Sequence, residues 1–380
     1  MRLYEFEASE LFRREGIPVP ASAVAASAGE AREKAAEIGL PVVIKAQVLV
    51  GGRGLAGGVQ TAASLEQVAE VANRLLHTSI KGWPVHKVMV ARQVAVAQEF
   101  YLGVTIDGYE GQPVVILSAA GGVSVEDIAR THPELVASRH VPISLGLTLQ
   151  EAREMAGRVG LGGKDQDSVA NLLLTLYRVF RKYDALVAEI NPLARTVDGK
   201  YLALDAKVEI DDSALFRHTD LKLEPEERIP NPLERQGQQI GVTYVDLDGD
   251  IGIIASGAGL GMATMDIVGR ILRPANFLET GGAITADLLY QAMALVTQKK
   301  NLRAIFINLY GGINPIDEGA KGVVRYIQEN RVTIPVVAKA LGNRQEETWE
   351  ILRSGGVNVV TNVATEKGVA ELARLLEGKG

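Results

Sequence analysis

Short apolar runs alternate with helix-like segments along the C-terminal part of the chain. Runs bounded by glycine predict buried strands, and apolar residues recurring every three to four positions predict amphipathic helices. The predicted strands are DIGIIAS (250–256), ANFLET (275–280), LRAIFINLYGG (302–312), IPVVAKALG (334–342) and VNVVTNV (357–363). The predicted helices cover 259–272, 286–298, 318–329, 344–355 and 366–377. Five strands alternating with five helices predict an α/β domain, a flavodoxin-like, doubly wound parallel sheet.

The N-terminal part has a mixed pattern that predicts an α+β region. Apolar residues at Tyr4, Ala8, Leu11 and Phe12 give the first helix one apolar face. Capping boxes that predict helix starts occur at Ser27/Glu30, Ser64/Gln67 and Thr148/Glu151. Predicted strands follow at HKVMVARQV, EFYLGVTID and QPVVILSAA, and ALVAEINPLARTVDGKYLALDAKVEI predicts a hairpin that turns at Asp198–Gly199.

A charged, proline-containing segment separates the two patterns. Residues 222–238, KLEPEERIPNPLERQGQ, lack a clear apolar period and are interpreted as a linker. We therefore expect two domains, 1–237 and 238–380, which is the number that 380 residues favour.

Composition narrows the class of protein. A hydrophobic fraction of 47% and a charged fraction of 23% are typical of a soluble globular protein. The net charge of −6 gives no reason to expect a nucleic-acid partner. The absence of cysteine excludes disulfides and thiolate metal sites and leaves the redox compartment undetermined. Because no secretory signal or membrane-length apolar run is visible, we expect no membrane association and a cytoplasmic (or organelle-matrix) protein.

The segment GGRGLAGG, residues 51–58, is the most specific local feature. Glycines let backbone amides approach a ligand closely, and such amides form a concavity suited to phosphate oxygens. Arg53 adds a forked cation, and Lys45 on the preceding strand adds a point charge. A flexible turn is the alternative interpretation. The Walker pattern is absent, and GAGLGM (257–262) fits the dinucleotide fingerprint poorly because Met262 replaces its third small residue.

The predicted hairpin carries a second polar cluster. Glu189 and Asn191 in EINP share one face of a strand, and Asp205 and Lys207 share one face of the returning strand. Facing strands would bring Glu189, Asn191 and Asp205 to one oxygen-rich place. Mg²⁺ binds through one or two such oxygens, with the rest from phosphates and water. A polar hairpin with one solvated face is the alternative.

Eight segments, spread over essentially the whole chain, form a recognisable set: YEFEASELFRREGIPVP, VVIKAQVLVGGRGLAGG, EFYLG, AEINPL, LDAKVEIDDSALFRH, GAGLGMATMDIV, PANFLETGG and FINLYGGI. In these segments the chain resembles the β subunit of succinate–CoA ligase (succinyl-CoA synthetase). The resemblance implies an ATP-grasp domain followed by a flavodoxin-like CoA-ligase domain. It also implies an α-subunit partner that binds most of CoA and carries a phosphorylated histidine. The pair would convert a carboxylic acid, CoA and a nucleoside triphosphate reversibly to acyl-CoA, diphosphate and phosphate through an acyl phosphate.

The resemblance also implies roles for individual residues. Lys45, Arg53, Gly54 and Leu55 would hold the nucleotide phosphates, and Glu99 in EFYLG would contact the nucleotide. Asn191 and Asp205 would bind Mg²⁺, and Glu189 would be the catalytic carboxylate that orients the partner's histidine. Ser256 and the loop residues Gly312, Ile313 and Asn314 would bind the acid. The nucleotide would be ATP/ADP or GTP/GDP; Pro20 resembles the adenine-preferring type.

Several positions depart from the family pattern. Leu55 replaces the lysine of GGRGKAGG, and Ala91 stands where an acidic residue is usual. Ser256 replaces an asparagine, and Asn314–Pro315 replaces a segment that includes an arginine. An arginine fork is the natural partner of a carboxylate, so its loss weakens the assignment of succinate in particular. The sequence therefore predicts a working ligase whose acid is not necessarily succinate.

Three alternatives stay open at this point. The chain could belong to a related ligase for malate, citrate or another carboxylic acid. It could be a dinucleotide oxidoreductase that uses GAGLGM, with Glu279 as the ribose-binding acid. It could also be a non-catalytic paralogue. The sequence does not distinguish an αβ from an α2β2 assembly.

Overall fold

The computed structural model describes residues 1–223 and 228–378. The chain divides into two compact units, Met1–Arg228 and Ile229–Gly380.

The first unit contains two larger antiparallel sheets and the two-stranded pair β4–β5, in agreement with the predicted α+β pattern. Within residues 1–223 its helices are α1 (Glu5–Arg14), α2 (Ala28–Ile38), α3 (Leu65–Leu76), α4 (Val125–Thr131), α5 (Leu149–Arg158) and α6 (Gly163–Lys182). Its strands are β1 (Ser22–Ala25), β2 (Val42–Ala46), β3 (Val59–Ala62), β4 (Ser79–Ile80), β5 (Trp83–Pro84), β6 (Val88–Arg92), β7 (Val96–Asp107), β8 (Gln112–Ser118), β9 (Val136–His140), β10 (Ala185–Thr196), β11 (Tyr201–Ala203) and β12 (Lys207–Ile210). One sheet has the order β1-β6-β2-β3; the other has β11-β10-β7-β8-β9, with β12 also paired to β10.

Each of the two larger sheets of the first unit packs against its own set of helices. Helices α1, α5 and α6 cover the β7–β10 sheet, and α2 and α3 cover the β1–β6 sheet. The predicted apolar face of α1 is confirmed, since Ala8, Leu11 and Phe12 are buried in the first of these cores. No helix among the described residues is both long enough and apolar enough to span a bilayer.

The three predicted capping residues start helices as expected. The hydroxyl oxygens of Ser27, Ser64 and Thr148 accept hydrogen bonds from the backbone N–H groups of Glu30, Gln67 and Glu151. The reciprocal bond of a full capping box forms only at Thr148 in this set; Glu30 and Gln67 instead accept from the residue before the cap. The sequence pattern therefore fixes where these helices begin, but not each partner of the returning side chain.

The segment 222–238, predicted as a linker, contains a helix. Residues 224–227 lie outside the described residues, and α7 covers Pro232–Gln239. The side-chain oxygen of Asn231 accepts hydrogen bonds from the N–H groups of Leu233 and Glu234. Proline is favoured in the first turn of a helix, so Asn231–Pro232 is a start signal within a segment that looked irregular.

The second unit contains the predicted doubly wound sheet. Its strands within residues 228–378 are β13 (Thr243–Asp246), β14 (Ile251–Ala255), β15 (Asn276–Glu279), β16 (Ala304–Gly311), β17 (Val336–Gly342) and β18 (Asn358–Val359). Its further helices are α8 (Ala258–Gly269), α9 (Ala286–Val296), α10 (Asp317–Asn330), α11 (Gln345–Ser354) and α12 (Thr365–Glu377). The strand order is β13-β15-β14-β16-β17-β18, and β14 to β18 are mutually parallel. If the five parallel strands are numbered 1 to 5 along the chain from β14, excluding the antiparallel β13, their order in the sheet is the flavodoxin-like 2-1-3-4-5.

Strand β13 is an addition that the sequence pattern missed. It pairs antiparallel with β15 at the edge of the sheet. Of its four residues only Tyr244 is buried, so the segment offers no apolar alternation from which a strand could be predicted.

Helices α9 and α10 approach each other closely at Gly322. A Cβ atom at this position would lie 1.9 Å from the carbonyl oxygen of Ala286. We expect Gly322→Ala to lower the free energy of unfolding by about 2 kcal/mol, because the helices must separate to admit the methyl group. Denaturant unfolding would measure this effect. Gly269→Ala is the matched control, since nothing lies within 4 Å of a Cβ there; an equal loss in both variants would contradict the close-packing argument.

Candidate functional site

A cavity of about 1010 Å³ opens in the first unit. It is lined by strand β2, the glycine loop, the segment 122–126, strand β10 and the turn between β11 and β12. Seven of the predicted site residues line it: Lys45, Arg53, Gly54, Leu55, Glu189, Asn191 and Asp205. Pro20, which the resemblance associates with base recognition, lines the same cavity.

The two predicted phosphate cations share one buried carboxylate, which the sequence did not single out. The ammonium of Lys45 lies 2.7 Å from Oε1 of Glu5, and Nη2 of Arg53 lies 2.8 Å from Oε2. The same Nη2 lies 2.9 Å from Oδ1 of Asp205. Glu5 is almost completely buried, with 1% of its side chain exposed. Residues from α1, β2, the glycine loop and the hairpin thus form one continuous ion-pair network.

This network separates the pKa values of its two carboxyl groups. Burial alone would raise the pKa of Glu5, but Lys45 and Arg53 together hold it below its ordinary value. Burial and the negative charge of Glu5 raise the pKa of Asp205 to about 6, against the opposing effect of Arg53. An additional cation beside Asp205 would therefore favour the ionised form of this carboxyl group.

The glycine loop exposes its backbone and one apolar side chain. Arg53 turns inward and is 9% exposed, whereas the side chain of Leu55 is fully exposed. The ammonium of Lys81, from the turn between β4 and β5, donates a hydrogen bond of 2.7 Å to the carbonyl oxygen of Gly51. An ammonium group therefore lies against the start of the loop that carries Leu55.

The predicted hairpin forms and faces the cavity. Glu189 pairs directly with Lys207 in the β10–β12 register, and Nζ of Lys207 lies 3.1 Å from Oε2 of Glu189. Asn191 and Asp205 occupy the facing positions between this pair and the β10–β11 pair Leu193↔Ala203. The hairpin therefore places an amide oxygen and a carboxylate on the cavity wall beside Glu189.

An amide oxygen and a carboxylate are both ligand types that Mg²⁺ accepts. Oδ1 of Asn191 accepts a hydrogen bond from the N–H of Gly122, which leaves its second lone pair free for a cation. No group of three or more His, Cys, Asp or Glu residues that could hold a metal occurs in the described part of the chain. A hard cation at Asn191 and Asp205 would therefore take its remaining ligands from phosphate and water, as Mg²⁺ does.

Glu99 lies beside this cavity rather than on its wall. It is located on β7, opposite Ala194 of β10. A Cβ atom at Gly122, which lines the cavity, would lie 2.5 Å from Oε2 of Glu99. Tyr101, two residues further along β7, lines the cavity, and burial and the charge of Glu189 raise its pKa. The nucleotide contact predicted for Glu99 stays a prediction.

The remaining predicted residues lie in the second unit, at the carboxyl ends of its parallel strands. The hydroxyl of Ser256 donates to the carbonyl of Tyr310 and accepts from its N–H, at 3.1 and 2.7 Å. Nδ2 of Asn314 donates to the carbonyl of Gly282 at 2.6 Å. Ile313, beside Gly312, is 91% exposed. Both polar side chains that differ from the family pattern are thus engaged by backbone groups.

One signal could have revealed Glu5 in advance. Positions 5, 8 and 12 lie on one face of a helix, and Ala8 and Phe12 on that face are buried. A glutamate on an apolar face must find a cation, and Lys45 and Arg53 were both available. The inward direction of Arg53 has no comparable sequence signal, because it depends on the fold of the loop.

One solved structure resembles this chain in fold over most of its length. The structure of an ATP citrate lyase from Methanothrix soehngenii, in complex with citrate and coenzyme A, superposes with a TM-score of 0.78. It covers 98% of this chain and 99% of that chain, at 18% sequence identity. At this identity the similarity establishes the fold alone.

Sequence comparison establishes the family. Residues 2–195 match the ATP-grasp domain family and residues 254–372 match the CoA-ligase family. The GDP-forming succinate–CoA ligase subunit β of Thermus thermophilus is 43% identical over 98% of this chain and 99% of its own length. The ADP-forming succinate–CoA ligase subunit β of Roseiflexus sp. (strain RS-1) is 40% identical over 97% of this chain and 98% of its own length. The ADP-forming subunit β of Desulfurococcus amylolyticus is 39% identical over 100% of both chains. The chain therefore belongs to the succinate–CoA ligase β-subunit family.

Proposed function

We propose that this chain is the β subunit of a nucleoside-diphosphate-forming acid–CoA ligase that binds a Mg-nucleotide in the cavity of its first unit. The observation that carries the proposal is the shared cavity wall. Two cations at Lys45 and Arg53, an oxygen pair at Asn191 and Asp205, and the carboxylate of Glu189 all meet there. Phosphoryl transfer from a nucleotide needs cations for the polyphosphate, oxygen ligands for the metal and a carboxylate beside the phosphoryl acceptor.

Asn191 and Asp205 would hold Mg²⁺, which supplies positive charge to the phosphates when bound. Lys45 and the glycine loop would bind the phosphate oxygens through an ammonium and backbone amides. Both ADP- and GDP-forming relatives match this chain, so either purine nucleotide is consistent with the family.

Glu189 is the residue we assign to phosphoryl transfer. Its carboxylate is 20% exposed, lines the cavity and pairs with Lys207. A carboxylate at this place would accept a hydrogen bond from an incoming imidazole, orient the ring and favour its attack on phosphorus. The histidine would come from an α subunit, in an αβ or α2β2 assembly, and that subunit would bind most of CoA.

A second candidate differs in the acid. In the second unit a cavity of about 430 Å³ is lined by residues 282–286, Asn314, Pro315 and Glu318. The charged residue that lines it is Glu318. Asn314–Pro315 stands where the family resemblance implies a segment with an arginine. Glu318 is itself paired with Lys321, and the described residues that line this cavity include no cation to bind the second carboxylate of succinate. The ligase would then prefer another acid.

A substrate panel separates these candidates. The chain is co-expressed with its native α partner, identified as the co-purifying protein, and CoA-dependent diphosphate release is followed with Mg-ATP or Mg-GTP. Turnover with succinate above all other acids supports the first candidate, and turnover only with a short mono-acid supports the second. Turnover only with malate or citrate would also mean an acid other than succinate, but it would contradict the argument from the second cavity, because both acids carry more than one carboxylate. An intact complex that turns over none of these acids contradicts both and favours a non-catalytic paralogue.

Restoring the family lysine at the tip of the glycine loop should strengthen nucleotide binding. We expect Leu55→Lys to lower the KM for Mg-nucleotide about three-fold, because a solvated cation adds a modest attraction to phosphate. Steady-state kinetics of the complex measures this change. Leu145→Lys adds the same charge at another exposed leucine, outside the cavity, and should leave this KM unchanged. An unaltered KM in Leu55→Lys would show that Leu55 does not face the phosphates.

A further inference from the structure

We propose that Glu5 is a positioning residue of the nucleotide site, which holds the two phosphate cations in place and makes the site select the magnesium-bound nucleotide. This inference rests on the proposed function. It concerns a residue of α1, outside both the glycine loop and the hairpin.

The position of Glu5 is fixed from two directions. Its backbone begins α1, and the positive end of a helix favours a carboxylate there. The helix is anchored by Leu11 and Phe12 in the hydrophobic core. The neighbouring Gln47 accepts a hydrogen bond from the N–H of Phe6 at 3.1 Å, which ties the start of α1 to the end of β2. Glu5 is therefore held in place independently of the two cationic side chains that it contacts.

Each oxygen of Glu5 holds a different cation. Oε1 accepts from Lys45 and Oε2 pairs with Arg53, whose Nη1 also donates to the carbonyl of Ala46 at 3.2 Å. Glutamine in place of Glu5 could accept from one cation only, and its NH₂ group would face the other. Glu5 thus sets the spacing of the ammonium and the guanidinium.

Glu5 also sets the charge of the cavity wall. With Glu5 and Asp205 ionised, their two negative charges balance the positive charges of Lys45 and Arg53. Loss of the Glu5 charge would leave the wall with one additional positive charge. A free nucleoside diphosphate carries two more negative charges than its magnesium complex, so this change favours the metal-free ligand and disfavours the metal ion.

The test measures ADP binding to the purified α/β complex, once with excess Mg²⁺ and once with EDTA. The quantity compared is the ratio of the two dissociation constants. We expect Glu5→Gln to reduce the preference for Mg-ADP by about ten-fold or more. Glu7→Gln is the matched control, because Glu7 lies on the same helix and pairs with Arg228 outside the cavity. A folded Glu5→Gln complex whose ratio stays within about two-fold of the unsubstituted complex would overturn the proposal.

A second variant keeps the test valid if Glu5→Gln does not fold. Glu5→Asp retains the charge but is too short to reach both cations. We expect it to raise the KM for Mg-nucleotide about three-fold or more, with the KM values for acid and CoA unchanged. An unchanged nucleotide KM would overturn the positioning role. If the unsubstituted complex binds no Mg-ADP, the proposed function itself fails; if it binds and both variants match it, only this inference fails.

Discussion

Replacing Glu189 by glutamine is expected to reduce turnover of the complex by at least about 100-fold, because a positioned carboxylate in proton and phosphoryl transfer contributes on that scale. The amide keeps the shape of the side chain and removes its negative charge, so an incoming imidazole would no longer be oriented or made more basic. Binding of Mg-nucleotide should change little, because Lys45 and Arg53 do not contact Glu189 in the ion-pair network. The measurement is kcat beside the dissociation constant for Mg-ADP.

Glu209→Gln is the control for this experiment. Glu209 lies on β12 in the same hairpin and pairs with Arg2, but it does not line the cavity. It should retain near-normal turnover. If Glu189→Gln turned over as fast as this control, the assignment of Glu189 to phosphoryl transfer would have to be abandoned.

Replacing Asp205 by asparagine is expected to weaken the dependence of the reaction on Mg²⁺ strongly. The side-chain oxygen of asparagine can still accept a hydrogen bond from Arg53. The magnesium ion, however, loses the single anionic ligand proposed for it here. We therefore expect the Mg²⁺ concentration needed for half-maximal turnover to rise about 100-fold. The raised pKa of Asp205 adds a second expectation. Because the fold disfavours its ionised form, removal of this charge should not lower the thermal midpoint of the ligand-free protein at neutral pH.

The combined result identifies the role of Asp205. An unchanged or higher midpoint without ligand, together with loss of the stabilisation by Mg-nucleotide, indicates a residue retained for binding rather than for folding. Asp198→Asn, at the turn of the same hairpin, should leave both quantities unaltered. A fall in the ligand-free midpoint, with normal Mg²⁺ dependence, would instead make Asp205 a structural partner of Arg53.

The second unit could be predicted closely because its signals are local and repeated. Strands β14, β16 and β17 are long, mostly buried runs, and α9 has a start signal at Thr285, whose hydroxyl oxygen accepts from the N–H of Leu288. Strand β13 and helix α7 could not be predicted in this way. Tyr244 is the sole buried residue of β13, and α7 is polar along most of its length. Their positions follow from packing against neighbouring elements, which periodicity does not encode.

Seven of the residues that line the cavity were predicted from the sequence, whereas Glu5 and the contacts between these residues were not. Alternation along β10 placed Glu189 and Asn191 on one face, and the hairpin turn brought Asp205 opposite, because these are local rules. The ion pairs of Glu5 join residues far apart in sequence, so they depend on how α1, β2 and the hairpin meet. The hydrogen bonds of Ser256 and Asn314 to backbone groups likewise appear only in the folded chain.

Transfer of a nucleotide phosphoryl group to the partner subunit can be observed directly. The purified α/β complex is incubated with Mg²⁺ and ATP or GTP labelled in the γ-phosphoryl group, without acid or CoA. We expect acid-labile, base-stable label on the partner subunit, which nucleoside diphosphate removes and which forms far more slowly with Glu189→Gln. An intact complex that binds Mg-nucleotide yet leaves its partner unlabelled with both nucleotides would show that this chain does not take part in such a transfer.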